Sequence, residues 1–390
     1  MRSQTEPRLA DDFLPIAQPD LDEDDIAEVV DTLRSGWLVY GAKTQQLERE
    51  FAAMVGVEHA IGVNSCTAGL HLSLLAAGIG PGDEVITTPL TFAASANVIV
   101  HAGATPVLAD ICADDLNIDP EQIERRITPK TKAVMPVHYG GQACRMDEIL
   151  DIARRYHLRV IEDAAHCAGS GYKEKMVGAI GDLASFSFYP VKNMTTGQGG
   201  MVTTNDPDLA AQVSALRNHG LDSNAWKRYS SEANRLFYTM SQPGFNYGMF
   251  DLLASIGLGQ LRRLPQFNAK RRVLAEHYTR AFADVPQVET PAVRAGVTTN
   301  WHLYVIRLRD SQVSRADLAQ GLKERGIGTS VHYYPIHYHP FYRERFGFRQ
   351  GDYPVTEREF ERILSLPLFP KMSEGDVERV VGAVRDILGG

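Results

Sequence analysis

Short runs rich in β-branched and apolar residues recur at 59–65, 83–89, 105–111, 131–139, 158–164, 182–189 and 199–205. The early runs alternate with stretches of helical spacing at 44–55, 67–78, 92–102 and 145–157. Such βα alternation predicts a parallel-rich sheet with helices on both faces. The last two runs are joined through a loop around position 192 without a long helix, so the sheet is expected to be mixed. After 205 the character changes to helix and polar loop, and Asp222 to Ala233, with Ser223, Ser230 and Ser231, reads as an exposed segment. Helical spacing returns over 251–285. A second unit begins with Trp301-His302-Leu303-Tyr304-Val305-Ile306 and closes with a helix near 375–388. The expected fold class is therefore α/β. A large unit over 1–260, with an N-terminal helical segment, holds a mixed, mostly parallel seven-stranded sheet between helices; a smaller α+β unit covers 261–390. No internal repeat or low-complexity segment interrupts this plan.

Composition narrows the functional classes. At 390 residues, 44% hydrophobic and 23% charged, the chain is long enough for two units and a large core. A net charge of −8 argues against broad binding to nucleic acid or an anionic membrane. A nucleotide diphosphate would need local cations, and Arg262, Arg263, Lys270, Arg271 and Arg272 form one candidate cluster, although Arg271 and Arg272 also fit a solvated helix face. The cysteines Cys66, Cys112, Cys144 and Cys167 are far apart and form no CxxC pair, which suggests neither a zinc site nor a disulfide framework. Met1 to Asp12 is polar, and no apolar run approaches a membrane span. The expected location is the cytoplasm.

The candidate chemistry centres on Lys192, in Ser185-Phe186-Ser187-Phe188-Tyr189-Pro190-Val191-Lys192-Asn193, followed by the turn Thr196-Gly197-Gln198-Gly199-Gly200. A lysine just past a strand, with hydroxyls before it and glycines after, is placed to capture an aldehyde cofactor through its amine. Pyridoxal phosphate needs, besides a lysine, a carboxylate facing its pyridine nitrogen, a phosphate cradle and a flat group against the ring.

Each has a candidate upstream. In Leu158-Arg159-Val160-Ile161-Glu162-Asp163-Ala164-Ala165-His166 the pleat sends Glu162 and Asp163 to opposite faces. We assign Asp163 to the ligand, with small Ala164 and Ala165 leaving room for a ring and His166 placed to bond its phenolic oxygen. Taken alone, an acid at a strand end reads as a cap; the pairing with Lys192 favours the ligand role. The phosphate candidate is Asn64-Ser65-Cys66-Thr67-Ala68-Gly69, where an apolar strand meets a helix and free backbone N–H groups converge. A helix dipole contributes only about 0.3–1 kcal/mol, so hydroxyls of Thr67 and Ser187 are expected to supplement it. Phe92, at another strand-to-helix junction, is the stacking candidate. The run His332-Tyr333-Tyr334-Pro335-Ile336-His337-Tyr338-His339 offers three histidines, but its prolines break regular geometry and no acid or cysteine lies among them, so no metal is expected.

In these motifs, and in Ser35-Gly36-Trp37-Leu38, Gly80-Pro81-Gly82-Asp83-Glu84-Val85, Pro136-Val137-His138, Gly244-Phe245-Asn246-Tyr247, Gly326-Ile327-Gly328-Thr329, Val331-His332-Tyr333 and Leu366-Pro367-Leu368-Phe369-Pro370, the chain resembles the DegT-type nucleotide-sugar aminotransferases. These are pyridoxal phosphate enzymes with the aspartate aminotransferase fold, fold type I. The resemblance implies that Lys192 is the Schiff-base lysine and proton shuttle, Asp163 the pyridinium partner and His166 a cofactor neighbour. It further implies that Thr67, Ala68 and Ser187 bind the phosphate, that Phe92 stacks on the ring, and that Asn246 reaches the phosphate of a neighbouring subunit in a homodimer. Trp37, Tyr40, Tyr189, His332 and Tyr333 are expected to line the substrate pocket.

The resemblance implies amino transfer from L-glutamate to a nucleotide-linked ketosugar, with pyridoxamine 5'-phosphate formed during turnover. The favoured substrate is a dTDP- or UDP-linked 4-keto-6-deoxyhexose aminated at C4, because Pro136-Val137-His138-Tyr139-Gly140-Gly141 looks more like C4 than C3 relatives. The alternatives are a C3 ketosugar, a keto-inositol, or a regulatory relative that binds the cofactor without turnover. Two departures bear on substrate: Gly248 stands where the family commonly has arginine, and Val39 and Tyr40 where it commonly has two threonines. A dehydrating relative with histidine in place of the lysine is disfavoured by Lys192, and a nicotinamide enzyme by the missing GxGxxG after a first strand.

Overall fold

The computed structural model describes residues 12–221, 238–309 and 312–389. The polar stretch 222–233 singled out above lies outside the described residues. Among the described residues the strands are β1 (His59–Val63), β2 (Glu84–Thr87), β3 (Thr105–Leu108), β4 (Thr131–Val134), β5 (Arg159–Asp163), β6 (Gly171–Tyr172), β7 (Lys175–Met176), β8 (Leu183–Ser187), β9 (Gly200–Thr204), β10 (Val288–Glu289), β11 (Val297–Thr298), β12 (Tyr304–Leu308) and β13 (Ile363–Leu366). The helices are α1 (Glu23–Ser35), α2 (Ala42–Val55), α3 (Cys66–Ala76), α4 (Ala93–His101), α5 (Pro120–Glu124), α6 (Met146–Tyr156), α7 (Pro207–Leu216), α8 (Asp251–Ala281), α9 (Arg315–Glu324), α10 (Pro340–Phe346), α11 (Pro354–Arg362) and α12 (Glu374–Gly389).

A seven-stranded sheet runs in the order β1-β9-β8-β5-β4-β2-β3. β3, β2, β4, β5 and β8 are parallel neighbours, whereas β9 is antiparallel to both β8 and β1. The reversal at β8–β9 follows from the helix-free loop carrying Lys192, since a parallel return needs a crossover. The pleat feeds two cores: Val202 packs with Leu70, Leu74 and Val85, while adjacent Met201 packs with Phe51, Phe186 and Leu261. α3 is covered on almost every side, which explains its nearly uniform apolar sequence.

A small antiparallel sheet, β10-β12-β13, packs on a core of its own that includes Tyr278, Trp301, Tyr304, Leu366 and Val380. A third sheet, β11-β6-β7, consists of two-residue pairings. No break in the backbone marks position 260, because α8 runs through it. Leu258, Leu261 and Leu264 of this helix enter the core beside the seven-stranded sheet, and Leu274, Ala275 and Tyr278 the core of the small sheet. Leu14, near the chain's start, also joins the second core through Leu14 N–H to the Gly326 carbonyl at 2.8 Å.

Candidate active site

Lys192 sits on the loop between β8 and β9, its N–H bonded to the Tyr189 carbonyl at 2.9 Å. The loop is closed by Phe188 N–H to Gly199 O at 2.9 Å and Thr196 N–H to Phe188 O at 3.0 Å, with the Phe188 ring buried against Phe51. A Cβ at Gly200 would lie 2.6 Å from the Phe186 carbonyl and 2.7 Å from Cys66 N, so glycine lets β9 pass directly under the first turn of α3. Burial pulls the Lys192 amine down to about 8, against the opposing influence of Cys66, Asp163 and Cys167.

The acids of β5 separate as the pleat requires. Glu162 turns to a fully buried structural nest, accepting from the N–H groups of Gly178, Ile180 and Gly181 and facing His138 Nε2 at 2.9 Å. Asp163, on the opposite face, is 4% exposed. Its Oδ2 accepts from Ser95 Oγ at 2.7 Å and its Oδ1 from Ala165 N–H at 3.2 Å. Burial raises its carboxyl, while Ser95, Ala165 and the Lys192 charge hold it down. Cys66, buried beside it, sends its thiol to the Ser185 carbonyl at 3.4 Å and lies 4.0 Å from Asp163 Oδ1.

His166 accepts from Gly140 N–H at Nδ1, 3.2 Å away, so its Nε2 carries the hydrogen toward Tyr333 Oη at 2.8 Å. Burial and the Lys192 charge keep this imidazole neutral, well below the usual histidine range. Its ring stacks with Tyr333 at 5.9 Å and packs 4.4 Å from His302. Phe92, 61% exposed at the N-cap of α4, lies 5.9 Å from Tyr333. His332 Nδ1 faces Ser365 Oγ at 2.7 Å, and burial pulls its imidazole down to about 4. One cluster thus joins Lys192, Asp163, His166, Phe92, His332 and Tyr333.

Around the start of α3 a cavity of about 410 Å³ is lined by Asn64, Ser65, Thr67, Ala68, His71 and Gln198, among others. Ser65 caps the helix by accepting from Ala68 N–H at 3.1 Å, so Thr67, exposed in the first turn, presents the hydroxyl here. Ser187 Oγ instead accepts from Tyr189 N–H at 3.4 Å, and Tyr189 is 52% exposed beside it. Asn246 is exposed, with its carbonyl 3.4 Å from Asn64 Nδ2.

Trp37 and Tyr40 make their bonds elsewhere: Trp37 Nε1 donates to the Tyr40 carbonyl at 3.1 Å, and Tyr40 Oη to Glu48 at 2.9 Å beneath Arg217. The basic cluster on α8 does not converge on the site. Arg263 is held by Asp20, Asp22 and Asp25. Arg271, 2% exposed, donates to the carbonyls of Trp301, His302 and Leu368, so the solvated-face reading fails for it. The histidines of 332–339 diverge, His332 to Ser365 and His337 to Glu357.

Sequence reasoning missed Ser95, Asn193 and His302. Ser95 lies one helical turn beyond Phe92, a spacing that could have flagged it; nothing local marks the other two. The donor set fits pyridoxal phosphate: a lysine amine lowered to about 8, a buried carboxyl group on the same side, a neutral imidazole, and a helix N-terminus opening on a cavity.

A family model described as the DegT/DnrJ/EryC1/StrS aminotransferase family matches residues 19–385. The spore coat polysaccharide biosynthesis protein SpsC of Bacillus subtilis (strain 168) is 50% identical over 381 residues, covering 97% of this chain and 98% of that protein. Streptococcus pneumoniae Spr1654 in its PLP form superposes with a TM-score of 0.90 at 33% identity, over 97% of this chain and 99% of that one. DesI, solved in the presence of its TDP-sugar product, does so with a TM-score of 0.87 at 31% identity, over 97% and 94%. The chain belongs to the DegT/DnrJ/EryC1/StrS aminotransferase family, pyridoxal phosphate-dependent enzymes of the aspartate aminotransferase-like fold.

Proposed function

We propose that this sugar aminotransferase moves an amino group from L-glutamate to a nucleotide-linked ketosugar, at C4 of a dTDP- or UDP-4-keto-6-deoxyhexose, in amino-deoxysugar biosynthesis. The observation that carries the chemistry is the depressed Lys192 amine beside the buried Asp163 carboxylate. The TDP-sugar product of DesI supports a nucleotide-sugar substrate, and the polysaccharide role of SpsC supports the pathway class.

Pyridoxal phosphate, when bound, supplies an aldehyde and an electron-poor ring that takes up the electron pair of a breaking C–H bond. Lys192 would hold this group through its amine and, in its neutral form, is the base that takes a proton from the substrate carbon and returns it. Asp163, whose anionic form the Ser95 hydroxyl favours against burial, would pair with the ring nitrogen's proton. His166 donates from Nε2 and is oriented by Gly140. Phe92 would hold the ring's flat face, and the Thr67 and Ser187 hydroxyls its phosphate. Exposed Asn246 reaches the site of a second copy, making the homodimer the working unit. Trp37, Tyr40, Tyr189, His332 and Tyr333 are assigned to the sugar nucleotide, with Tyr40 held by Glu48 and Arg217 and Trp37 by the Tyr40 carbonyl. Among the described residues no helix is long and apolar enough to cross a membrane.

The test is a panel of 3-keto and 4-keto sugar nucleotides incubated with L-glutamate, with products identified by NMR. A 4-amino sugar nucleotide formed with 2-oxoglutarate supports the reading. A 3-amino product moves the position, and cofactor binding without turnover of any panel member replaces the enzyme by a regulatory relative.

A further inference from the structure

We infer that His302 is a positioning residue that fixes the Lys192 loop, acting through Asn193. Asn193 follows Lys192 directly and is 5% exposed. Its amide is engaged entirely by later parts of the chain. Nδ2 donates to Asn268 Oδ1 at 2.8 Å and to the Asn300 carbonyl at 2.9 Å, and Oδ1 faces His302 Nδ1 at 3.0 Å. With both amide hydrogens used, Oδ1 is the acceptor, so His302 Nδ1 carries the hydrogen and Nε2 a lone pair.

The neighbouring amides admit the same single sense. Asn300 Nδ2 donates to the His166 carbonyl at 2.8 Å and the Ala168 carbonyl at 3.0 Å, and its Oδ1 accepts from His302 N–H at 3.1 Å. Asn268 Nδ2 donates to the Ala168 carbonyl at 3.1 Å. The backbone closes around them: Gly141 has φ 100°, and a Cβ there would lie 2.1 Å from Asn300 Oδ1. A connected buried network of directed bonds like this one restricts the loop to one geometry.

Two cofactor-side residues are therefore set by one imidazole, which touches the His166 ring at 4.4 Å and holds the residue beside Lys192. The groups that bear on the lysine amine are Asp163, Cys66 and Cys167, which favour its charged form; it in turn acts on the imidazoles of His166, His302 and His332, with Arg271 behind His302. Loosening the loop lets water reach the amine and restores its ordinary titration.

The inference extends the aminotransferase reading to a second layer, but its test does not depend on sugar chemistry. Full-length protein, stripped of cofactor, is acetylated competitively with acetic anhydride across a pH series, and mass spectrometry of peptides gives the titration point of Lys192. His302→Gln keeps bulk but cannot place a donor where Nδ1 stands; His302→Asn can. The expected result is a midpoint raised by about one pH unit or more in the glutamine variant and in Asn193→Ala, with the asparagine variant at the wild-type value. Circular dichroism confirms that each variant is folded, and His302→Asn serves where a larger change unfolds the chain. Wild-type midpoints in both His302→Gln and Asn193→Ala overturn the inference, as do equal shifts in the two His302 variants, which would mark packing alone.

Discussion

Ser95 Oγ donates to Asp163 Oδ2 at 2.7 Å, and Thr91 Oγ1 lies 2.8 Å from the same Ser95 oxygen. The turn that presents Phe92 thus also delivers the strongest hydrogen bond to the carboxylate. A bond to a charged acceptor is worth about 1.5–3 kcal/mol, or roughly one to two pKa units. Ser95→Ala should raise an Asp163 carboxyl that burial already pushes up, because it removes a group favouring the anion. The acid limb of the pH–rate profile is then expected to move up by about one unit, with kcat/KM down roughly tenfold, and Ser95→Thr should restore both. Asp163→Asn should keep some cofactor yet lose most activity at every pH.

The depressed Lys192 amine fixes a pH dependence. Only the neutral form attacks an aldehyde, and with a value of about 8 it is mostly charged below that pH. Cofactor capture by the stripped protein, followed by absorbance, should accelerate about tenfold per unit below pH 8 and level off above it. The same shift bears on stability: the unfolded lysine binds its proton up to its ordinary value, so this group's contribution rises with pH from about 8 to that value. A capture rate that climbs without a plateau to pH 10 contradicts the assignment.

Tyr333→Phe removes the partner of His166 Nε2–H while keeping the stacked ring. The lost bond is worth about 0.5–1.5 kcal/mol, so cofactor dissociation measured by equilibrium dialysis should weaken about two- to tenfold. An unchanged constant would remove Tyr333 from the cofactor's support.

Asp110, 4% exposed just past β3, ties that strand's end to the start of α11. It accepts from Val355 N–H at 3.0 Å, Thr356 N–H at 2.9 Å and Thr356 Oγ1 at 2.7 Å, capping α11 from across the chain. Asp110→Ala leaves these donors buried without a partner and should cost about 2–3 kcal/mol. Urea unfolding should show the loss as a lower midpoint; a change within about 0.5 kcal/mol would mean that the cap is replaced by water.

The seven sheet strands were legible because each pairs an apolar run with a following turn or helix, as at Glu84–Thr87 and Arg159–Asp163. Gly171–Tyr172 and Lys175–Met176 were not, since two residues carry no period. Lys192 and Asp163 stood out at strand ends, where the sequence itself marks the ligand side of the sheet. Asn193 and His302 stayed hidden because their meeting depends on bringing together segments more than a hundred residues apart, and the pattern of each segment marks its neighbours rather than this pair. Arg271 was misread as solvated although it falls on the stripe Phe267, Arg271, Leu274, Tyr278 that faces the cores, a spacing that overrides its charge.

The most direct measurement is borohydride reduction of the cofactor-loaded protein, followed by peptide mapping. The expected result is a single pyridoxyl label, on Lys192, that is absent from Lys192→Ala along with all turnover. Label on another lysine, or full transamination by the alanine variant, would contradict it.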